Sequence, residues 1–441
     1  MKICLISAFP PSKRQLNEYA FHLAKELKQH SEVELTVLAD ELENYDFAPD
    51  PRSTSGKSTA EMIDQEFNVI RCWKFGSLST PMRILNQVRR IQPDVVWFNL
   101  AFSTFGAPKN PIPAFAGLSI PAMIRAAGFY THITLHHIIE HVDFATSGIR
   151  LEKLYRLGAD IATQALLKVD SVAVLLSDYR NTLIQKYDAD NVMIGTHGTF
   201  STMPGPPDFS RRGNPDHRIL AFGNWGTYKR LEPLMEAFPK VVAKIPNARL
   251  IVAGGNHPAA AGYWESIRAA QPPDLPIEFL GYIPAEDIPA LFSSSSVLVM
   301  PYDSSTGSSG PAHQACEFGL PIVCADIEDF RCMAKDDEMA ISFYRKGDAG
   351  DLADKLIELL SSPELMRQMA CQNYEAGVQM SMANVVQNYL RWFELQLCKS
   401  RLAKAVSGIE FVSRLPRAEP VRVKKSSSAG ILAFNPNSST R

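Results

Sequence analysis

The chain has 441 residues, 46% of them hydrophobic and 21% charged, which is the composition of a globular protein of roughly two to three domains and not of a disordered chain. Lys and Arg number 45 against 47 Asp and Glu, a formal net charge of −2. That balance argues against nucleic-acid binding by the chain as a whole.

Short runs rich in Val, Ile and Leu alternate with helical patterns from the first residue onward. Strands are predicted over residues 2–8, 34–39, 68–73, 94–100, 132–136, 171–177 and 192–196. They are apolar on both faces, as buried parallel strands are. Helical stretches such as 15–29 and 149–168 lie between them. This grammar predicts an α/β domain over residues 1–200 with a doubly wound sheet. STMPGPPDFSRRGNPDHR, residues 201–218, is dense in Pro, Gly and charge and reads as a linker. The alternation then restarts, with strands predicted at 219–223, 250–253, 277–280, 297–300, 322–325 and 340–343. Two similar domains facing one another predict a ligand in the cleft between them.

Two segments carry the chemistry. PYDSSTGSSGPAHQACEFGLPIVCAD, residues 301–326, reads as a strand end, a Gly/Ser loop and a short helix opening at Pro311. Pro suits a first helical position because its fixed φ fits and its missing N–H has no intrahelical duty there. The backbone N–H groups of Ser308, Ser309 and Gly310 are then expected at the positive end of the helix, an anion site suited to a phosphate. An ordinary capped loop is the alternative. ILAFGNWGTYKRLEPLMEAF, residues 219–238, reads as a strand, a Gly-containing turn after Gly223, and a helix starting near Lys229. A cation in a first helical turn opposes the dipole, and a bound diphosphate would account for it, the alternative being a solvated surface lysine. Gly254-Gly255 supplies another tight turn at the same sheet edge, and ligands of open α/β sheets bind at these carboxyl ends.

His137-Ile138-Ile139-Glu140-His141 matches H-x-x-E-H, a zinc pattern if it lies on a helix. A zinc hydrolase would need a third ligand and an amphipathic helix. The motif begins at a strand end, so a His-rich turn bordering the cleft is the preferred expectation.

With these segments in order, the chain resembles the retaining nucleotide-sugar glycosyltransferases of the GT-B fold, glycosyltransferase family four. The carriers are ISAFPP and HLAKEL (residues 6–11 and 22–27), TLHH (134–137), THG (196–198) and FGNWGTYKRLEPLMEAF. IPNARLIVAGG (245–255), FLGYIPAEDIPALFSSSSVLVMPY (279–302), GSSGPAHQACEFGLPIV and DLADKLIELLSSPELMRQM follow. The resemblance implies two Rossmann-like domains, an N-terminal acceptor side and a nucleotide-sugar-binding domain over residues 219–380. It also implies a helix over 381–398 returning to the first domain. The implied reaction moves a hexosyl unit from a UDP- or GDP-sugar to a glycan or lipid-linked acceptor with retention, without a metal or other cofactor. Lys229 matches the lysine on the donor diphosphate, and Thr306, Gly307, Ser308, Ser309 and Gly310 match the phosphate loop. Gln314 stands where a glutamate binds the ribose. His136 matches a catalytic-side histidine near the transferred sugar, and Gly223, Asn224, Arg230 and Gly254 fall at the donor edge. The sequence departs from the pattern at Thr306 and Gln314, both glutamates in the family, and at Asn224, an arginine there. The usual glycine pair is absent from residues 12–16. Arg230 is the candidate for the second positive charge. The departures keep a second function in view, a catalytically silent nucleotide-sugar-binding protein.

No window reaches the ~18–20 apolar residues of a membrane span, and MKICLISAFPP is too short for a signal peptide. The seven cysteines are scattered without a C-x-x-C pair, which predicts free thiols in a reducing cytoplasm. Residues 399–441 carry a net +7, leaving −9 on the rest. This tail is expected to be a solvated, partly disordered extension, or a peripheral contact with anionic lipid at the inner membrane face. The apolar stretch 99–127, with Phe102, Phe105 and Phe115, is either core or loop packing, or an acceptor wall or membrane-facing patch for a lipid-linked glycan.

Overall fold

The structure, a computed structural model, describes residues 1–12, 14–42, 58–106, 112–141, 152–200, 205–209, 217–257, 259–305 and 307–413. Seven strands build the first sheet: β1 (Lys2–Ile6), β2 (Glu34–Asp40), β3 (Val69–Trp73), β4 (Val95–Leu100), β5 (Tyr130–Leu135), β6 (Ser171–Val174) and β7 (Val192–Ile194). Their order is β3-β2-β1-β4-β5-β6-β7, with every pairing parallel. All six residues of β4 are buried, which is the reason for an unbroken apolar run in place of alternation. The second sheet holds β8 (Arg218–Phe222), β9 (Arg249–Ala253), β10 (Ile277–Gly281), β11 (Val297–Met300), β12 (Ile322–Ala325) and β13 (Ile341–Tyr344). Its order is β10-β9-β8-β11-β12-β13. The strand order reverses beside β1 in one sheet and beside β8 in the other, and the crevice at each switch point opens at the carboxyl ends.

Both sheets belong to one compact unit, Met1–Phe393. Within it the lobes meet through the helix Glu328–Asp336. The Tyr179 hydroxyl donates to Asp329 Oδ2 (2.9 Å), and the Ser177 N–H and hydroxyl donate to Asp336 at 2.6 and 2.8 Å. The last helix, Met382–Ser413, brings Tyr389 and Phe393 onto the first sheet. Their rings lie 4.6 and 5.1 Å from that of Trp97.

Three expectations need correction. The helix after β8 starts at Glu232, with Pro233 in its first turn, so Lys229 precedes it. The final helix extends through 399–413, so the basic stretch begins as helix; residues 414–441 lie outside the described ones, as do 201–204 and 210–216 of the expected linker. The apolar stretch 99–127 divides: Phe105 is buried against Trp73 (rings 4.9 Å apart) while Phe115 remains 38% exposed. All seven cysteines are free thiols, and burial pushes those of Cys4, Cys316 and Cys324 upward. Among the described residues no helix is long and apolar enough to cross a membrane.

Candidate active site

A cavity of about 280 Å³ lies where the carboxyl edges of the two sheets face one another. Gly223, Asn224, Lys229 and Gly254 line it from the loops after β8 and β9, and Gly310, Pro311 and Gln314 from the helix after β11. Tyr282, Ile283, Ala285 and Ile288 come from the segment after β10, and Glu18 and Phe200 from the first lobe.

The glycines make the room. Gly254 has φ +99°, and a Cβ there would fall 1.9 Å from the Gly223 carbonyl oxygen. Only glycine fits two loops nested backbone to backbone.

Lys229 is held by a tight turn and not by a helix. Gly226 and Lys229 exchange backbone hydrogen bonds of 2.9 and 3.1 Å, with Thr227 between them at φ +55°. The side chain runs over the Tyr302 ring, Nζ lying 4.9 Å from its centroid, an attractive cation–π placement. Lys229 makes no ion pair among the described residues. Burial without a partner pulls its pKa down to about 8, because removal from water disfavours the charged form. At neutral pH it is still largely an ammonium. Arg230 is spent elsewhere: it bonds to Glu232 at 2.9 and 3.2 Å and lies 3.7 Å from Asp303. It is not among the residues lining the cavity.

The helix Gly310–Glu317 begins with Ser309 as its cap, whose side chain makes no capping bond. Only part of the expected N–H cradle faces the cavity. The Ser309 N–H is directed at Met333 Sδ and its hydroxyl at Met300 Sδ, each at 3.5 Å. Gly310 does line the cavity, and Gln314 stands one turn further along, 6% exposed. Ser308 Oγ is buried with no hydrogen-bond partner among the described residues. Thr306 lies outside the described residues. Gly307, at φ +114°, passes so close to the first lobe that a Cβ would sit 2.5 Å from the His136 carbonyl oxygen.

His136 follows β5, as expected, but its imidazole is buried behind the cavity and not among its lining groups. Nε2 lies 2.5 Å from Asn99 Oδ1, and Asn99 Nδ2 donates to Ser7 Oγ at 3.1 Å. An amide oxygen only accepts, so Nε2 carries the proton. Burial, with His137 nearby, pushes its pKa down to about 3, so the ring is neutral. It belongs to a row of rings crossing between the lobes: His136 to His197 at 6.0 Å, and His197 to His313 at 4.7 Å. His313 ends the row with Nδ1 2.7 Å from Ser309 O and Nε2 3.3 Å from Asp337 Oδ2.

The H-x-x-E-H segment forms no metal site. Ile139–His141 is a single 3-10 turn, so His137 and His141 share no helical face. Glu140 bonds to Tyr187 and Lys186. His141 contacts Asp329 Oδ1 and Thr182 Oγ1 at 3.3 Å, and the bond to Asp329 raises its pKa. Among the described residues no group of three or more His, Cys, Asp or Glu is placed to hold a metal ion.

The sequence reading missed Glu18, Phe200 and the stretch after β10. Tyr282 follows the strand-end Gly281, a signal that marks a loop at the ligand edge, and it is 83% exposed. Glu18 and Phe200 carry no local signal; only the packing of the lobes brings them to this wall.

Residues 216–362 match the family model described as glycosyl transferases group 1. The match covers a third of the chain and falls within the C-terminal lobe. No curated protein sequence matches the chain. Solved structures match over nearly the whole of it. Anabaena HepE in complex with UDP-glucose is 12% identical with a TM-score of 0.62, covering 89% of this chain and 99% of its own. Sucrose-phosphate synthase from Thermosynechococcus elongatus is 16% identical with a TM-score of 0.66, covering 90% and 100%. A glycosyltransferase from Rickettsia africae is 10% identical with a TM-score of 0.61, covering 90% and 98%. The likeness is one of fold: two Rossmann-like lobes in the GT-B arrangement, with the segment that matches the group 1 model supplying Lys229, Gly310 and Gln314 to the cavity.

Proposed function

We propose that the protein is a retaining glycosyltransferase, taking a hexosyl unit from a nucleoside-diphosphate sugar. The observation that carries this reading is Lys229, an ammonium without a counter-ion among the described residues, on the wall of the same cavity as the start of the Gly310–Glu317 helix. A diphosphate supplies the missing negative charge to both. The group 1 match and the complexes of HepE with UDP-glucose and with UDP support it.

Negative charge grows on the leaving diphosphate as the glycosidic bond breaks. Lys229 and the Gly310 N–H meet that charge in a site partly shielded from water, where loss of one such donor costs about 3–4 kcal/mol of barrier. Gln314 offers a neutral amide to a ribose hydroxyl, and Ile283, Ile288 and Tyr282 offer apolar surface to the base. His136 acts through position: its ring braces Asn99 and its carbonyl meets the phosphate-side loop. The acceptor, a glycan or lipid-linked saccharide, enters from the first lobe. The basic residues of 399–441 are proposed to hold the chain peripherally at an anionic cytoplasmic membrane face, testable by salt-sensitive pelleting with phosphatidylglycerol vesicles.

The test is a thermal-shift series with UDP, GDP, UDP-glucose and GDP-mannose on wild type and Lys229→Ala. A ligand that binds only the native state raises Tm. One nucleotide series is expected to raise the wild-type Tm by several degrees and to leave Lys229→Ala unmoved. No shift at millimolar concentration with any of them would overturn the reading. Gln314 and Asn224, neutral where the resembling family carries charges, favour as second reading a protein that binds the nucleotide sugar without turnover. Multiple turnover on any donor excludes it.

A further inference from the structure

The helix Glu328–Asp336 of the C-terminal lobe is held at both ends by the helix Ser177–Tyr187 of the first lobe. Asp336 accepts from the Ser177 N–H and hydroxyl, and Asp329 from the Tyr179 hydroxyl. Asp329 does more than join the lobes. It is 6% exposed, and three groups meet at its carboxylate. Oδ1 lies 3.3 Å from His141 Nδ1, and Oδ2 accepts from the Gly307 N–H at 3.4 Å as well as from Tyr179 at 2.9 Å. Tyr179 and His141 belong to the first lobe, with their rings 4.7 Å apart. Gly307 belongs to the loop that leads into the Gly310–Glu317 helix.

All three neighbours donate, so this place needs a side chain that only accepts. A carboxylate has two oxygens and about four lone-pair sites, where an asparagine amide has a single accepting oxygen. Asp329 is also the second residue of its helix, where the helix dipole favours negative charge. The same helix meets the loop again one turn further on, where the Ser309 N–H is directed at Met333 Sδ. The loop thus rests on this helix at two points, and the helix rests on the first lobe at two points. Asp329, Tyr179 and His141 are not among the residues lining the cavity.

Resting on the glycosyl-transfer reading, we propose that Asp329 is a positioning residue, through which Tyr179 and His141 of the first lobe set the loop from Gly307 to Gly310 against the donor diphosphate. It touches no reacting atom. Without the first lobe's hold on Asp329, the Gly307 N–H loses a fixed acceptor and the Gly310 N–H loses its aim. A nucleotide that needs the placed loop then binds more weakly, in proportion to the fraction of molecules that have it in place. By reciprocity, bound nucleotide strengthens the contact between Tyr179 and Asp329.

The experiment titrates UDP, GDP, UDP-glucose and GDP-mannose by calorimetry into full-chain wild type, Tyr179→Phe, Asp329→Ala and the double variant, well below their unfolding temperatures. Tyr179→Phe removes one hydroxyl from the first lobe and no atom from the donor side. Its nucleotide Kd is expected to rise about 5- to 20-fold, and that of Asp329→Ala at least as much. The double variant is expected to match Asp329→Ala within about twofold, because Tyr179 acts only through that carboxylate. A bond that served stability alone would lower the urea midpoint and leave Kd where it was. A Tyr179→Phe protein that binds nucleotide within about twofold of wild type therefore overturns the assignment and leaves the donor site standing. This variant decides the matter even where Asp329→Ala fails to fold. Losses in the single variants that multiply in the double also overturn it. A wild type that binds none of the four ligands overturns the transfer reading, and the assignment with it.

Discussion

Lys229 is costly to the free protein. It has given up water and found Tyr302 but no carboxylate, and its pKa has fallen from 10.5 to about 8. Between those values the unfolded chain binds a proton that the folded one does not, so stability rises with pH across that window. Below it, the penalty stands in full. Lys229→Met is therefore expected to stabilise the unliganded protein by roughly 1–2 kcal/mol at pH 7, with the gap to wild type closing toward pH 10.5. Urea unfolding of both proteins from pH 7 to 11 measures this. On the proposed function, nucleotide affinity is expected to move the other way, falling as pH rises through about 8 because the ammonium is lost. At this scale the sequence was legible where a residue sits beside a strand end, as Lys229, Gly223 and Gly254 do. It was not legible for His136, whose burial depends on Tyr19, His197 and Asn99 arriving from other elements.

Among the elements, the helix Gly310–Glu317 was announced by Pro311, but what fixes its start was hidden. His313 binds the Ser309 carbonyl through one ring nitrogen and faces Asp337 with the other, both side chains nearly sealed from solvent. Asp337 Oδ2 and His313 Nε2 are 3.3 Å apart but make no hydrogen bond among the described residues. His313→Leu therefore removes the bond to the Ser309 carbonyl, an expected loss of about 0.5–1.5 kcal/mol, the usual net worth of a hydrogen bond. Asp337→Leu removes a buried group that is already unsatisfied and is expected to cost little. Urea unfolding of the two variants measures both. The helix after β8 shows why boundaries mislead. A lysine, an arginine and a leucine ahead of Glu232-Pro233 fit a helical pattern, yet the Gly226–Lys229 hydrogen bonds and the Lys229–Tyr302 bridge hold Lys229 in a turn ahead of the helix.

For the whole molecule, two sheets could be read from alternating apolar runs because parallel strands are buried on both faces. The way the lobes meet could not. Asp329 takes the Tyr179 hydroxyl across 150 residues of sequence and His141 across 188, separations that no local pattern encodes. The same holds for the last helix, whose Phe393 packs against Trp97 and His132 at 5.1 and 5.0 Å. Phe393→Ala is expected to cost about 3–5 kcal/mol, read as a lowered urea midpoint with an unchanged slope.

Gly307 meets the His136 carbonyl backbone to backbone, and such a contact has no rotamer that can swing clear. On the proposed function, admission of donor and release of nucleotide are expected to proceed by rigid-body hinging, on the microsecond-to-millisecond scale of domain motions. Turnover limited in this way slows in proportion to solvent friction, so sucrose or glycerol would brake the steady-state rate while leaving the single-turnover chemical step alone.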